Sequence, residues 1–171
     1  MKGYVQVYTG NGKGKTTAAM GLAVRAIGAG KKVFIGQFAK SRHYSELETI
    51  DKLLKNITIR QYGMGYFIFK KPGEEDIQAA QTGLKEITEI IKSDEYDIII
   101  LDEANIAVYY NLISEDELIA AIRKRNERTE ILITGRYATQ KIIDFADLVT
   151  EMKEIKHYYQ QGVQARVGIE K

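Results

Sequence analysis

The sequence predicts an α/β fold, a mostly parallel sheet flanked by helices, and three observations carry that prediction. Strand-like and helix-like segments alternate along the whole chain. The segment Tyr96–Leu101 is a near-continuous apolar run, as expected of a parallel strand covered on both faces. The first strand passes through a glycine-rich turn straight into a helix. With 171 residues and no repeats or linkers, the pattern reads as one doubly wound domain, residues 1–171.

Tyr4–Tyr8 is the first expected strand, and the helix beyond the turn runs from about Lys15 to Ile27, where Gly28 and Gly30 end it. Lys32–Phe38 is the second strand. A helix–strand unit follows at about Glu46–Leu54 and Ile57–Tyr62. Beyond the irregular stretch Gly63–Pro72, a long helix covers about Glu74–Lys92. Its residues Ile77, Ala80, Leu84, Ile87 and Ile91 step by three and four, which predicts one buried stripe. Glu74, Glu75 and Asp76 put negative charge at the end of that helix where its dipole favours it. After the strand Tyr96–Leu101, Ser114 and Glu117 form a capping box that opens a helix to about Lys124. Glu130–Thr134, Ala138–Phe145 and Leu148–Met152 then read as strand, helix and strand. The tail from Lys153 onward follows no clear period.

Composition excludes several classes of function. An apolar fraction of 44% and a charged fraction of 28% are those of an ordinary soluble globular protein. Net charge is +2, from 25 basic and 23 acidic residues, too little for a dedicated nucleic-acid binder, so no nucleic-acid partner is expected. The absence of cysteine removes disulfides, cysteine-ligated zinc, iron–sulfur clusters and thiol nucleophiles together. His43 and His157 are too isolated to form a metal pair. Met1-Lys2-Gly3-Tyr4 leads into a strand without a signal segment, and no apolar run exceeds about five residues, far below a membrane span. A cytoplasmic protein with no membrane partner is expected.

The strongest motif is Thr9-Gly10-Asn11-Gly12-Lys13-Gly14-Lys15-Thr16-Thr17, between the first strand and the first helix. Its glycines let the backbone turn N–H groups inward around an anion, and the helix presents its positive end to the same anion. Lys15 can reach terminal phosphates and the Thr16 hydroxyl can ligate Mg²⁺, so the loop reads as a triphosphate site, with ATP the expected ligand. The usual motif has four residues between its first glycine and the Gly-Lys pair; here Gly10 and Gly14 are separated by three, and Thr9 stands where the first glycine would be.

A second chemical feature is Leu101-Asp102-Glu103, two carboxylates at the end of a buried strand. Such a strand is expected beside the phosphate loop, where Asp102 can hold Mg²⁺; Glu103 can polarise a water, or contact metal or substrate. Arg136, in Thr134-Gly135-Arg136, follows a later strand at the edge where α/β proteins bind ligands. It can contact phosphate or an acidic group, and Arg25 on the first helix is a further basic candidate. Gly63-Met64-Gly65-Tyr66-Phe67-Ile68-Phe69 is the most apolar loop, suited either to covering a flat ligand or to plugging the core.

Together these motifs resemble the ATP:corrinoid adenosyltransferases of the phosphate-loop class. The resemblance is carried by Tyr8–Ala19, Gln37-Phe38-Ala39-Lys40, Leu101–Asn105, Thr134-Gly135-Arg136, Ala146–Met152, Lys156-His157, Gln161-Gly162-Val163 and Gly168-Ile169-Glu170, nearly the whole chain. It implies a RecA-like fold and a reaction in which a cobalt(I) corrinoid attacks the 5′ carbon of ATP and releases triphosphate. Cobalt(I) is itself the nucleophile, so the protein must align the 5′ carbon and stabilise the leaving group. Lys15, Thr16, Mg²⁺ and the loop amides would then stabilise the leaving group; Lys15, Thr16 and Glu103 are the expected catalytic residues, and Thr16, Asp102 and Glu103 the expected metal ligands. The resemblance also puts Lys13, Thr17 and Arg25 near the nucleotide.

Aromatic residues under the corrin ring displace the lower cobalt ligand in this family, which here implicates Tyr66 and Phe67. Where some relatives carry Phe and Trp two apart, this chain has Tyr66 and Ile68. The N-terminal extension that caps the site in some relatives is not expected here, so closure is expected to come from another segment or to be weaker. A homodimer and a reduced flavoprotein electron donor are further implications of the resemblance. An ATP hydrolase or motor, a nucleoside kinase of related fold and a nucleotide sensor are the competing readings of the same loop.

Overall fold

The computed structural model describes residues 2–40, 45–64 and 72–170. The elements in chain order are β1 (Val5–Thr9), α1 (Lys15–Gly28), β2 (Val33–Phe38), α2 (Ser45–Leu53), β3 (Ile57–Tyr62) and α3 (Glu74–Ser93). They continue with β4 (Ile98–Asp102), α4 (Ala104–Tyr109), α5 (Glu115–Ile122), β5 (Glu130–Thr134), α6 (Gln140–Phe145) and β6 (Leu148–Glu151), and end on a 3-10 turn at Tyr158–Gln161. The six strands make one sheet in the order β3-β2-β4-β5-β1-β6, with every pair parallel. This is the expected α/β architecture with a parallel central sheet, consistent with a RecA-like phosphate-loop fold.

Strand pleating divides the core into two faces. Val33, Ile35, Ile98, Ile100 and Leu132 pack with Ala19, Ala23 and Ala26 of α1 and Ile50 of α2. Phe34, Phe38, Ile99, Leu101, Ile131 and Ile133 face the other way, against Ala80, Leu84, Ile87 and Ile91 of α3 and Leu118 and Ile122 of α5. The β4 run is buried at every position because helices cover both sides. The three alanines leave little between α1 and the sheet, so the helix that starts at the phosphate loop is seated directly on the strands.

The expected stripe on α3 is one turn too long. Ile77 is 39% exposed, and the core takes its first contact from Ala80. The first turn instead buries Asp76, whose carboxylate accepts the Gly73 N–H at 2.9 Å and so caps the helix. The capping box at α5 forms as expected: Ser114 Oγ accepts the Glu117 N–H at 3.1 Å, and the Glu117 carboxylate accepts the Ser114 N–H at 2.8 Å. Helix α4 and the 3-10 turn in the tail were not expected. Among the described residues no helix is long and apolar enough to cross a membrane.

Candidate active site

The chain leaves β1 at Thr9 and turns through Gly10 and Gly14 at φ 94° and 117°, left-handed values that glycine alone adopts without strain. The outer limb of this loop is pinned to β6 and the residue after it. The Gly12 N–H donates to the Met152 carbonyl at 2.7 Å, and the Met152 N–H donates to the Thr9 carbonyl at 2.8 Å. Lys15 opens α1 as a buried residue, its ammonium donating to the carbonyls of Gly10 at 2.7 Å and Gly12 at 2.8 Å. Burial lowers its pKa; Glu103 opposes this, Arg136 adds to it, and Asp102 opposes it.

β4 delivers Asp102 to the floor of the site. The strand lies beside the phosphate loop as expected, although β5 separates β4 from β1 in the sheet. The Asp102 carboxylate accepts the Thr16 hydroxyl at 3.0 Å. Asp102 is wholly buried and takes three more donors: Thr134 Oγ1 at 2.6 Å, Gln37 Nε2 at 3.0 Å and Lys40 Nζ at 2.8 Å. Parallel register explains the gathering, because Gln37 pairs directly with Asp102 and both stand at strand ends. Burial pushes the Asp102 pKa up, but the Lys40 charge and the hydrogen bonds from Lys40, Thr134 and Thr16 outweigh it, and the pKa falls.

Glu103 follows at φ 58°, its N–H donating to Thr134 Oγ1 at 3.0 Å. Its pKa is raised, first by burial and then by the neighbouring Asp102 charge, against the opposing pull of Lys40, Lys15 and Arg136. Ala39 and Tyr137, just beyond β2 and β5, share left-handed backbone with it, at φ 51° and 62°. Strain of this kind gathers at the carboxyl edge of the sheet, where side chains must be aimed rather than merely packed.

Above this floor lies a cleft of about 540 Å³ lined by Gly12 to Thr17, Met20, Lys40, Glu103 and Arg136, together with Ser45, Glu46 and Thr49 of α2. The tail closes its rim with His157, Gly168, Ile169 and Glu170. Lys13 is the tail's anchor: its ammonium donates to Glu170 Oε1 at 2.9 Å, the Ile169 carbonyl at 3.2 Å and Tyr158 Oη at 3.4 Å. The Glu170 carboxylate also accepts Arg166 Nη2 at 3.1 Å and the Tyr158 hydroxyl, and these contacts hold its pKa well below the usual carboxylate range.

Of the residues singled out from sequence, Gly12, Lys13, Gly14, Lys15, Thr16, Thr17, Glu103 and Arg136 line the cleft, and Asp102 underlies it. Thr9, Gly10 and Asn11 do not line it; Thr9 Oγ1 accepts the Ala138 N–H at 3.3 Å instead. Arg25 is exposed in the last turn of α1, ten residues and so about 15 Å along the helix from Lys15. Tyr66, Phe67 and His43 lie outside the described residues. Gln37, Lys40 and Thr134 were quoted only as parts of longer motifs, and their convergence on Asp102 had no local signal. The tail residues Tyr158 and Glu170 had none either.

The donors fit a magnesium ion. The Thr16 hydroxyl and the Asp102 carboxylate, 3.0 Å apart, are hard oxygen ligands of the kind this ion takes. An ion held by few protein oxygens and completed by phosphate suits such a site.

A family model described as "ATP:corrinoid adenosyltransferase BtuR/CobO/CobP" matches residues 1–170. The chain is 32% identical to a corrinoid adenosyltransferase of Escherichia coli K12 over 170 residues, 99% of this chain and 86% of that protein. It is 31% identical to the corrinoid adenosyltransferase of Pseudomonas aeruginosa, covering 99% of this chain and 84% of that one. It is 33% identical to the corrinoid adenosyltransferase CobA of Salmonella typhimurium, covering 99% and 86%.

Proposed function

The chain belongs to the ATP:corrinoid adenosyltransferase family, and from that premise we propose how its own residues carry out the transfer. It is an enzyme of cobalamin biosynthesis that moves the adenosyl group of ATP to a corrinoid. In our reading the corrinoid arrives with cobalt(I), a cobalt–carbon bond forms at the 5′ carbon as the carbon–oxygen bond to the triphosphate breaks, and triphosphate departs with the electron pair. The corrinoid brings its own nucleophile, so the site's work is alignment and leaving-group stabilisation.

The supporting observation is the cleft itself, in which Lys15, Thr16, Arg136 and the loop backbone face one another above Asp102. Lys15 and the amides of the loop hold the departing triphosphate, and Arg136 meets its outer oxygens. Thr16, Asp102 and Glu103 would hold magnesium, which when bound adds positive charge against the developing phosphate charge. The cleft volume accommodates a nucleotide but leaves the corrinoid to an open side. Tyr66 and Phe67 are assigned beneath the corrin from the family resemblance. The same resemblance supports a homodimer, a reduced flavoprotein donor and a cytoplasmic setting, with residues 1–171 acting as one domain.

Mixing the protein with Mg-ATP and a chemically reduced corrinoid tests the proposal. Cobalt(I) should be consumed, with one triphosphate released per adenosylated product. ADP and phosphate in place of triphosphate, with the cobalt spectrum unchanged, would overturn it.

A further inference from the structure

Lys40 stands where a metal ion would be expected. Its ammonium is 2.8 Å from Asp102 Oδ2 and 3.3 Å from Thr16 Oγ1, so it bridges the carboxylate and the hydroxyl assigned above to magnesium. Asp102 does not need this lysine to satisfy its oxygens, since Thr16, Thr134 and Gln37 already donate to them. What Lys40 adds is a positive charge. The backbone is arranged to supply it: Ala39, just before, sits at φ 51°, which alanine seldom adopts, and its N–H donates to the Tyr62 carbonyl at 3.1 Å. Gly63 then packs so closely that a Cβ there would lie 2.7 Å from the backbone nitrogen of Lys40 and 2.9 Å from its carbonyl oxygen. The ends of β2 and β3 thus brace one turn that aims Lys40 at the site.

We propose that Lys40 is a positioning residue that keeps the metal's place, its ammonium bridging Thr16 and Asp102 until a magnesium–nucleotide complex enters and draws it onto the triphosphate. The inference rests on the assignment of Thr16 and Asp102 to the metal. Two cations cannot share that gap, so a free divalent ion is disfavoured there. An ion that arrives chelated by triphosphate brings anionic oxygens to which the ammonium can move. Through the exchange the buried Asp102 carboxylate keeps a counter-cation throughout, and the triphosphate gains a second lysine beside Lys15. When magnesium triphosphate leaves, Lys40 returns to Asp102 and favours its departure.

Manganese binding to the full chain without nucleotide, followed by electron paramagnetic resonance, tests this. Lys40→Met should bind free Mn²⁺ about tenfold more tightly than wild type or better, because a repelling cation a few ångströms away is gone. Lys40→Arg should remain as weak as wild type. Both Lys40→Met and Asp102→Asn should bind Mn-ATP less tightly. Lys40→Gln, which still donates to Asp102, gives the same readout should Lys40→Met fail to fold. Unchanged Mn²⁺ affinity in both uncharged variants, with Mn-ATP binding still lost in Asp102→Asn, overturns the place-keeping role alone. Mn-ATP binding indifferent to Asp102→Asn overturns the metal assignment beneath it.

Discussion

Asp102→Asn separates the charge of the central side chain from its shape. Asparagine has the same size, and by turning its amide it can keep the contacts. The carbonyl oxygen then accepts from Gln37 and Lys40, and the amino group donates to the hydroxyls of Thr16 and Thr134. The negative charge that faces Lys40 is what disappears. Breaking a fully buried pair costs about 3–5 kcal/mol. Here the Lys40 side chain is 15% exposed and can turn toward water, which brings the expected loss to about 2–3 kcal/mol. At about 2–4 °C per kcal/mol for a chain of this size, the melting temperature should fall by roughly 5–10 °C.

The assay is thermal unfolding by circular dichroism, with and without Mg-ATP. Wild type should gain stability from a ligand that binds only the folded state, and the variant should lose most of that gain. The pH dependence has a defined sign. A carboxyl with a depressed folded-state pKa stabilises above its unfolded pKa and loses that contribution as pH falls through the folded value. The gap between wild type and variant should therefore hold at neutral pH and narrow only below the ordinary value of 3.8. A melting temperature within about 1 °C of wild type at neutral pH, with the Mg-ATP gain intact, would refute both the energetic role and the metal role of Asp102.

Lys15→Ala should cut turnover of ATP with reduced corrinoid by about a hundredfold or more, the usual effect of losing a charged donor at a leaving group, while wild-type rates would mean the site is misplaced. Ser114→Ala removes the α5 cap and should cost about 0.5–2 kcal/mol in urea unfolding without altering activity. Glu170→Gln should free the tail, read as faster amide hydrogen exchange over residues 157–170. In wild type the depressed Glu170 pKa keeps the carboxylate ionised, so tail protection should persist from neutral pH to below its ordinary value of 4.5; loss of protection near neutrality would argue against that anchor.

How legible each feature was depends on the range of the physics behind it. The buried strand β4 and the helices α1 and α3 announce themselves through local periodicity, and Ser114 with Glu117 announces a helix start. The phosphate loop is legible because its chemistry is contiguous: the glycines, Lys15 and Thr16 fall within one turn of chain. The order of strands is not local. β5 inserts between β1 and β4, and no pattern within β4 records that neighbour. Gln37 and Thr134 look like ordinary polar residues at strand ends and Lys40 like one in a turn; parallel register brings the first two to one carboxylate, and the turn after β2 brings the third. Ala39, Glu103 and Tyr137 carry left-handed backbone that non-glycine residues do not advertise. Lys13 and Glu170 are 157 positions apart and meet only because the tail returns across the loop.

The two lysines at the floor share a logic that neither reveals alone. Lys15 donates to two neutral carbonyls, and Lys40 donates to a carboxylate that hydroxyl and amide donors already satisfy. Both resting places are weaker partners than a triphosphate would be: one carries no charge, and the other can exchange its ammonium for magnesium. On the proposed exchange both ammonium groups would meet the triphosphate before the carbon–oxygen bond breaks, with little reorganisation left for that step. On the roles proposed for Lys15 and Lys40, triphosphate gains negative charge as it leaves the 5′ carbon, so their contacts would strengthen along the reaction. Binding that strengthens in this way accelerates the chemical step, whereas equal binding of ATP before and during reaction would only improve its capture. A site with preplaced cations and an externally supplied nucleophile is thus suited to alkyl transfer from ATP, and activation of water by Glu103 is not required for it.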